Sequence, residues 1–219
     1  MTTPRMAAAA LAGVPAGVQA QGVWAGRRQL FVRFAGEAET ATMYTSAALL
    51  KEIERQLVRS KFHSIAIGGR DPLGNLEFLT MAFGGTAMPV PLMLDSDGQR
   101  PEALALLAPH LAMTQVTVEF VGPDGMRASA IDTLAAAAGA GCAHALVLCP
   151  RDDTSDSQLL RLIEQAHATS AETAVVIHPF LTGDPPMLDR RWSMLLEQAM
   201  TLHSHTRLVL RLPAPAALR

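Results

Sequence analysis

Short apolar, β-branched runs alternate with helical patterns along most of this chain, and that alternation narrows the fold more than any other feature. The runs are QLFVRF (29–34), HSIAI (63–67), VPLML (90–94), QVTVEFV (115–121), HALVLC (144–149), TAVVI (173–177) and TRLVLRL (206–212). Between them, residues 46–60 place Leu49, Leu50, Ile53 and Leu57 on one helical face. Residues 155–168 do the same with Leu159, Leu160, Ile163 and Ala166, behind an N-cap at Thr154 or Ser155. Further helices are predicted over 75–83, 101–111, 127–140 and 188–203. Strand, helix, strand in repetition means right-handed βαβ units and a parallel sheet. Strands this apolar read as buried on both faces. Seven strands in about 190 residues fall short of an eight-fold barrel, and no G-x-G-x-x-G follows the first strand. The expected fold is therefore α/β, a partial six- to seven-fold TIM-like barrel of parallel strands occupying residues 23–219 as one domain.

Composition bounds the function. The chain has 219 residues, 49% hydrophobic and 17% charged, enough apolar content for a sizeable core. A net charge of −2 and a pI of about 6.4 argue against nucleic acid as the main partner. Cys142 and Cys149 are the only cysteines, too few for a disulfide framework or a four-cysteine zinc site, and a reducing cytoplasm fits them. No run approaches the roughly 18–20 apolar residues of a spanning helix, so no membrane partner is expected. Residues 1–22 are rich in alanine and interrupted by Pro15, and read as a loosely ordered leader.

In such architectures the site lies where the strands end. Glu37 and Glu39 follow the first strand; Gly68, Gly69, Arg70 and Asp71 the second; Asp95, Ser96, Asp97 and Gly98 the third. Asp124 follows the fourth, Arg151, Asp152 and Asp153 the fifth, His178 and Pro179 the sixth. Loops of this kind carry Asp, Ser and Gly for capping and turning alone, but GGRDPLGN and DSDG are more elaborate than capping requires.

GGRDPLGNLEFL (68–79) resembles the glycine-rich G-G-E/D-P-L element of radical SAM activating enzymes and of 7-carboxy-7-deazaguanine synthases. MLDSDGQRPEAL (93–104) is similar to their third-strand element, and GVWAGRRQLFVRFAG (22–36) to their approach to the cluster loop. The resemblance runs in order over residues 22–150. It implies that the glycine-rich backbone meets the amino group of S-adenosylmethionine (SAM), and that Gly68, Gly69, Arg70, Asp71, Asp95, Asp97 and His178 form the ligand-binding rim. Those families carry C-x-x-x-C-x-x-C after the first strand, where three thiolates hold a 4Fe–4S cluster. Here the positions fall on Glu37, Ala41 and Tyr44, none a soft thiolate ligand. Arg70 stands where the second glycine is expected and Asp97 where an asparagine is common. The implied function is a radical SAM-like protein without the cluster: a non-catalytic binding or scaffold subunit in a pterin, deazapurine or activating-enzyme pathway. No cofactor is expected on this reading, SAM being the one candidate, and the partner would be a protein, a second copy or a small molecule. The alternative is a Mg²⁺- or Mn²⁺-dependent hydrolase or lyase in which Glu37, Glu39, Asp71, Asp95, Asp97, Asp124 and Asp152 converge, with His178 as ligand or general base.

Overall fold

The computed structural model describes residues 7–85, 87–120, 129–179 and 189–210. Asp124 lies outside these residues. Seven parallel strands form the body of one sheet: β3 (Arg28–Phe34), β5 (Ser64–Gly69), β6 (Leu92–Ser96), β7 (Met113–Glu119), β8 (His144–Cys149), β9 (Ala174–Ile177) and β10 (Thr206–Leu208). They lie side by side in chain order. Three antiparallel strands, β1 (Ala8–Gly13), β2 (Ala16–Val18) and β4 (Thr42–Thr45), extend the sheet beyond β3. Among the described residues β4 and β10 are the sheet's two edges, so the barrel is partial.

Strand order without reversal, joined by crossovers of one hand, places all the helices on one face. α1 (Ser46–Arg59), α2 (Leu76–Phe83), α3 (Pro101–Leu107), α4 (Ser129–Gly139), α5 (Asp156–Thr169) and α6 (Arg190–Leu202) each pack against the next. Three of them begin where a short polar side chain accepts an orphan N–H: Thr45 from Ala48, Ser155 from Gln158 and Asp189 from Arg191. The sheet face under the helices is apolar, with Leu30, Val32, Phe34, Ile65, Ile67, Leu94, Val116, Val118, Leu146, Leu148, Val175 and Ile177 all buried.

The opposite, inner face is buried as expected, with Met93, Gln115, Ala145, Val147 and Val176 inaccessible, but it is not uniformly apolar. Because successive strand residues point to opposite sides, Asp95, Gln115, Thr117 and Glu119 share this face, as their pairing across β6, β7 and β8 requires. β8 and β9 are apolar on this side too, where Val147, Cys149 and Val176 are buried against Val23, but β6 and β7 place a polar row there. What covers this side is the turn joining β2 to β3, residues 19–27, closed by Gln19 N–H to Arg27 O and Gly26 N–H to Gln19 O, both 2.9 Å. It lies across the inner face as a strap: Trp24 stacks edge-on against His63 beside β5, Gly22 N–H donates to His178 Nε2 (2.9 Å), and Arg207 of β10 donates to Val23 O (2.6 Å).

The leader expected over residues 1–22 is a second correction. Residues 8–13 and 16–18 are strands: β1 lies between β3 and β4 and buries Ala9 and Leu11, while β2 pairs with the start of β3. Alanine carries little strand preference of its own. Two hydrogen-bonded neighbours and the core beneath supply what the local sequence lacks.

Candidate ligand site at the ends of the parallel strands

A cavity of about 300 Å³ opens where β5, β6 and β7 end. Gly69, Asp95, Ser96, Asp97, Thr117 and Glu119 line it, and the strap contributes Gln21. Gly69 takes φ +98°, and a Cβ there would lie 2.3 Å from the Phe34 carbonyl oxygen, so only glycine fits this wall. Gly68 faces Asp95, with room for no more than van der Waals contact. Ser96 accepts from Gly98 N–H (3.1 Å) and Asp97 from Gln99 N–H (3.2 Å), turns that hold both side chains at the rim.

Asp95 is the centre of the cavity. Thr117 Oγ1 donates to its Oδ1 at 2.7 Å. Burial pushes the Asp95 carboxyl above its ordinary range, the hydrogen bonds from Thr117 and Gln115 hold it down in part, and the negative charges of Glu119 and Asp97 push the same way as burial.

Of the residues expected at the rim, the structure brings Gly69, Asp95 and Asp97 to the cavity, sets Gly68 beside Asp95, and turns the others elsewhere. Arg70 does not reach into it; its guanidinium pairs with Glu37 at 2.6 Å. Asp71 is held by a two-pronged contact with Arg100, both bonds 2.7 Å, and also caps Gly74 N–H. His178 is 1% exposed and its Nε2 is occupied by the strap. Glu39 pairs with Arg33 (2.7 Å). Three carboxylates of the acidic rim required by a Mg²⁺ or Mn²⁺ hydrolase, Glu37, Glu39 and Asp71, are thus held in ion pairs, while Asp95 and Asp97 stay at the cavity. Among the described residues no group of three or more His, Cys, Asp or Glu is placed to hold a metal ion. Gln21, Thr117 and Glu119 were not singled out from sequence, although Gln115, Thr117 and Glu119 are polar at every second position of QVTVEFV.

Asp71 and Arg100 both have left-handed backbones, φ 42° and 59°, conformations that cost an arginine more than an aspartate. Their fork ties the loop after β5 to the start of α3. Arg100 holds the Asp71 carboxyl below its usual range, with backbone capping adding to the effect. A lowered value means stability that is present above the ordinary carboxylate range and is lost as pH falls through the folded value. The pair is partly exposed, at 46% and 37%, so it contributes no more than about 1 kcal/mol. Asp71→Asn should lower the melting temperature by at most about 4 °C at neutral pH, and the difference should vanish in acid. A loss of more than this, or one that persists in acid, would contradict the assignment.

The cluster positions are occupied by structure. Glu37 is the partner of Arg70. Tyr44 sits in β4, opposite Ala9 of β1, and packs against the core. Ala41 is exposed just before that strand. Cys142, which precedes β8, and Cys149, at its end, are both buried. Three thiolates cannot come from two cysteines, so this chain's own residues do not fit a three-cysteine cluster. Glycine at 69 is required by the β3 backbone, because an added carbon would meet Phe34 O, and not by the cavity; what the cavity offers a ligand such as SAM is its polar lining of Asp95, Ser96, Asp97, Thr117 and Glu119.

No protein-family model matches the chain. It is 32% identical over 108 residues to a 7-carboxy-7-deazaguanine synthase of Methanothermobacter thermautotrophicus, a match covering 43% of this chain and 42% of the relative. The matched segment therefore spans less than half the relative's length. The fold is that of QueE from Escherichia coli, with a TM-score of 0.59 at 12% identity over 93% of this chain and 94% of that one. The radical SAM-like resemblance read from the motifs is carried by both sequence and fold. The expectation of no cofactor is overturned by the same finding, because the sequence match is to a member of a cofactor-dependent family, the radical SAM proteins. Among the described residues no helix is long and apolar enough to cross a membrane.

Proposed function

We propose that this chain is a radical SAM-like binding subunit of deazapurine-type biosynthesis, holding SAM or a pterin-like compound at Asp95 without generating a radical by itself. The observation that carries the reading is the contrast between two neighbouring loops. The cavity at Gly69, Asp95 and Asp97 is open and polar, while the loop that bears the cluster in the relatives is tied down by Glu37–Arg70 and by β4. SAM supplies a 5′-deoxyadenosyl radical only when an electron reaches its sulfonium, and Glu37, Ala41 and Tyr44 provide no seat for the donor. With Arg70 and Arg100 both engaged by carboxylates, the cavity presents acceptors and negative charge, which favours a ligand's cationic or N–H-bearing edge.

Calorimetry with SAM, its demethylated product and a reduced pterin tests this directly. Binding of one of them at the cavity, weakened about tenfold to a hundredfold by Asp97→Ala, is the expected result. Anaerobic reconstitution with iron and sulfide provides the second arm: the expected protein stays colourless near 400 nm. Roughly four irons per chain with reductive SAM cleavage would sink the non-catalytic reading. Absence of all ligand binding, with a protein partner recovered instead, would remove the cavity from the function.

A further inference from the structure

The strap and the cavity are joined by a chain of hydrogen bonds that all point one way. Val23 N–H, in the strap, donates to Gln115 Oε1 at 3.1 Å. Gln115 Nε2 donates to Thr117 Oγ1 at 3.4 Å, the loosest link, and Thr117 Oγ1 donates to Asp95 Oδ1 at 2.7 Å. Gln115 is fully buried in the middle of β7, with Gly22 pressed so closely on it that a Cβ at Gly22 would fall 1.7 Å from its Oε1. The amide is therefore oriented by the strap. With its oxygen committed to Val23, only its N–H₂ end can face Thr117. Thr117, accepting from that group, has its own hydrogen directed to Asp95. Each bond in such a chain strengthens the next, and the whole is aimed at a negative charge.

We propose that Gln115 and Thr117 are positioning residues that couple docking of strap 19–27 to the ionised state of Asp95, so that a cationic ligand edge at Asp95 and a closed strap favour each other. The proposal rests on the reading of the cavity as a ligand site, and it extends that reading to how the ligand is held. The dependence is reciprocal, because a carboxylate that strengthens the chain is itself favoured by the chain. The charged groups facing Asp95 are Glu119 on β7 and Asp97 beyond β6. β5 presents Gly68 and the strap Gln21, neither of which titrates. Asp97 and Glu119 favour the protonated form of Asp95, whereas Thr117 and Gln115 oppose it. When Asp95 is protonated its Oδ1 is a poorer acceptor, and the chain back to Val23 loosens. Strap protection should therefore fall as pH drops through the titration of Asp95.

The test uses the full chain without ligand. Carbon-detected titration of the Asp95 carboxyl is paired with amide exchange at Val23 and Gly22, corrected for intrinsic rates at each pH. In the parent protein, protection of Val23 should follow the Asp95 titration. Thr117→Val should move that titration to higher pH and remove the pH dependence of the strap, and Thr117→Ser should restore both. Gln115→Leu should lower Val23 protection about tenfold while core amides in β5 keep theirs, the loss of one buried hydrogen bond. A strap whose protection ignores Asp95, or a Thr117→Val protein that titrates like the parent, overturns the coupling. If the coupling holds and SAM nevertheless fails to bind, the proposed ligand is wrong and the device remains.

Discussion

Asp95→Asn should melt at a higher temperature than the parent protein at neutral pH, while binding a cationic ligand more weakly. The carboxyl starts from an ordinary value of 3.8 and is pushed up, first by burial, with Glu119 and Asp97 adding to it. A raised folded value means that the folded protein holds this proton more tightly than the unfolded chain does. Stability therefore declines as pH rises from about 3.8 through the folded value, and the full penalty is present above it. The amide removes the charge and leaves an oxygen for the Thr117 hydroxyl. Each 1 kcal/mol regained raises the melting temperature of a chain this size by about 2–4 °C. The gain should shrink in acid, where the parent carboxyl is already neutral. Loss of a charged hydrogen bond should meanwhile cost about tenfold to a hundredfold in ligand affinity. Stability gained where binding is lost is the pattern of a site kept polar for function. A lower melting temperature for Asp95→Asn at neutral pH would remove Asp95 from that role.

The second large effect belongs to Gly69→Ala. At φ +98° the added carbon meets Phe34 O at 2.3 Å and Phe34 N at 2.8 Å, backbone atoms of β3 that no rotamer change can move aside. Phe34 is also the residue opposite Gly69 in the parallel ladder, and its carbonyl accepts from Arg70 N–H at 3.2 Å. Backbone strain alone costs about 1–3 kcal/mol, and separating β3 from β5 adds to it. A total of about 3 kcal/mol lowers the melting temperature by roughly 6–12 °C. Gly139→Ala is the matched control: it lies at the end of α4 with nothing within 4 Å of the new carbon, and should be neutral or slightly stabilising. Equal effects at the two glycines would mean that the Gly69 wall is not held as described.

The order of strands and helices was readable because each signal is local. Apolar residues at helical spacing gave α1 and α5, and Ser155 marked the start of α5. The ends of the parallel strands could be named as the candidate site for the same reason, and Gly69, Asp95 and Asp97 line the cavity there. Arg70 and His178 were not, because the direction of a long side chain depends on its partner. Glu37 comes from a loop 33 positions away from Arg70, and Gly22 lies 156 positions from His178.

The amino-acid sequence by itself determined the parallel α/β plan, the place of the loops that line the cavity and the shortage of thiolates, since these depend on periodicity, connection and composition. Tertiary structure alone decided what the inner face does. Gln115, Thr117 and Glu119 alternate with Val116 and Val118, and that pattern is compatible with either face being covered by helices. Only the uniform direction of the crossovers sends every helix to one side and leaves the polar row for the strap. The alanine-rich β1 was hidden for a related reason. A strand with weak preference of its own forms because β3 and β4 satisfy its backbone groups and the core accepts Ala9 and Leu11, and no local window of sequence contains those partners.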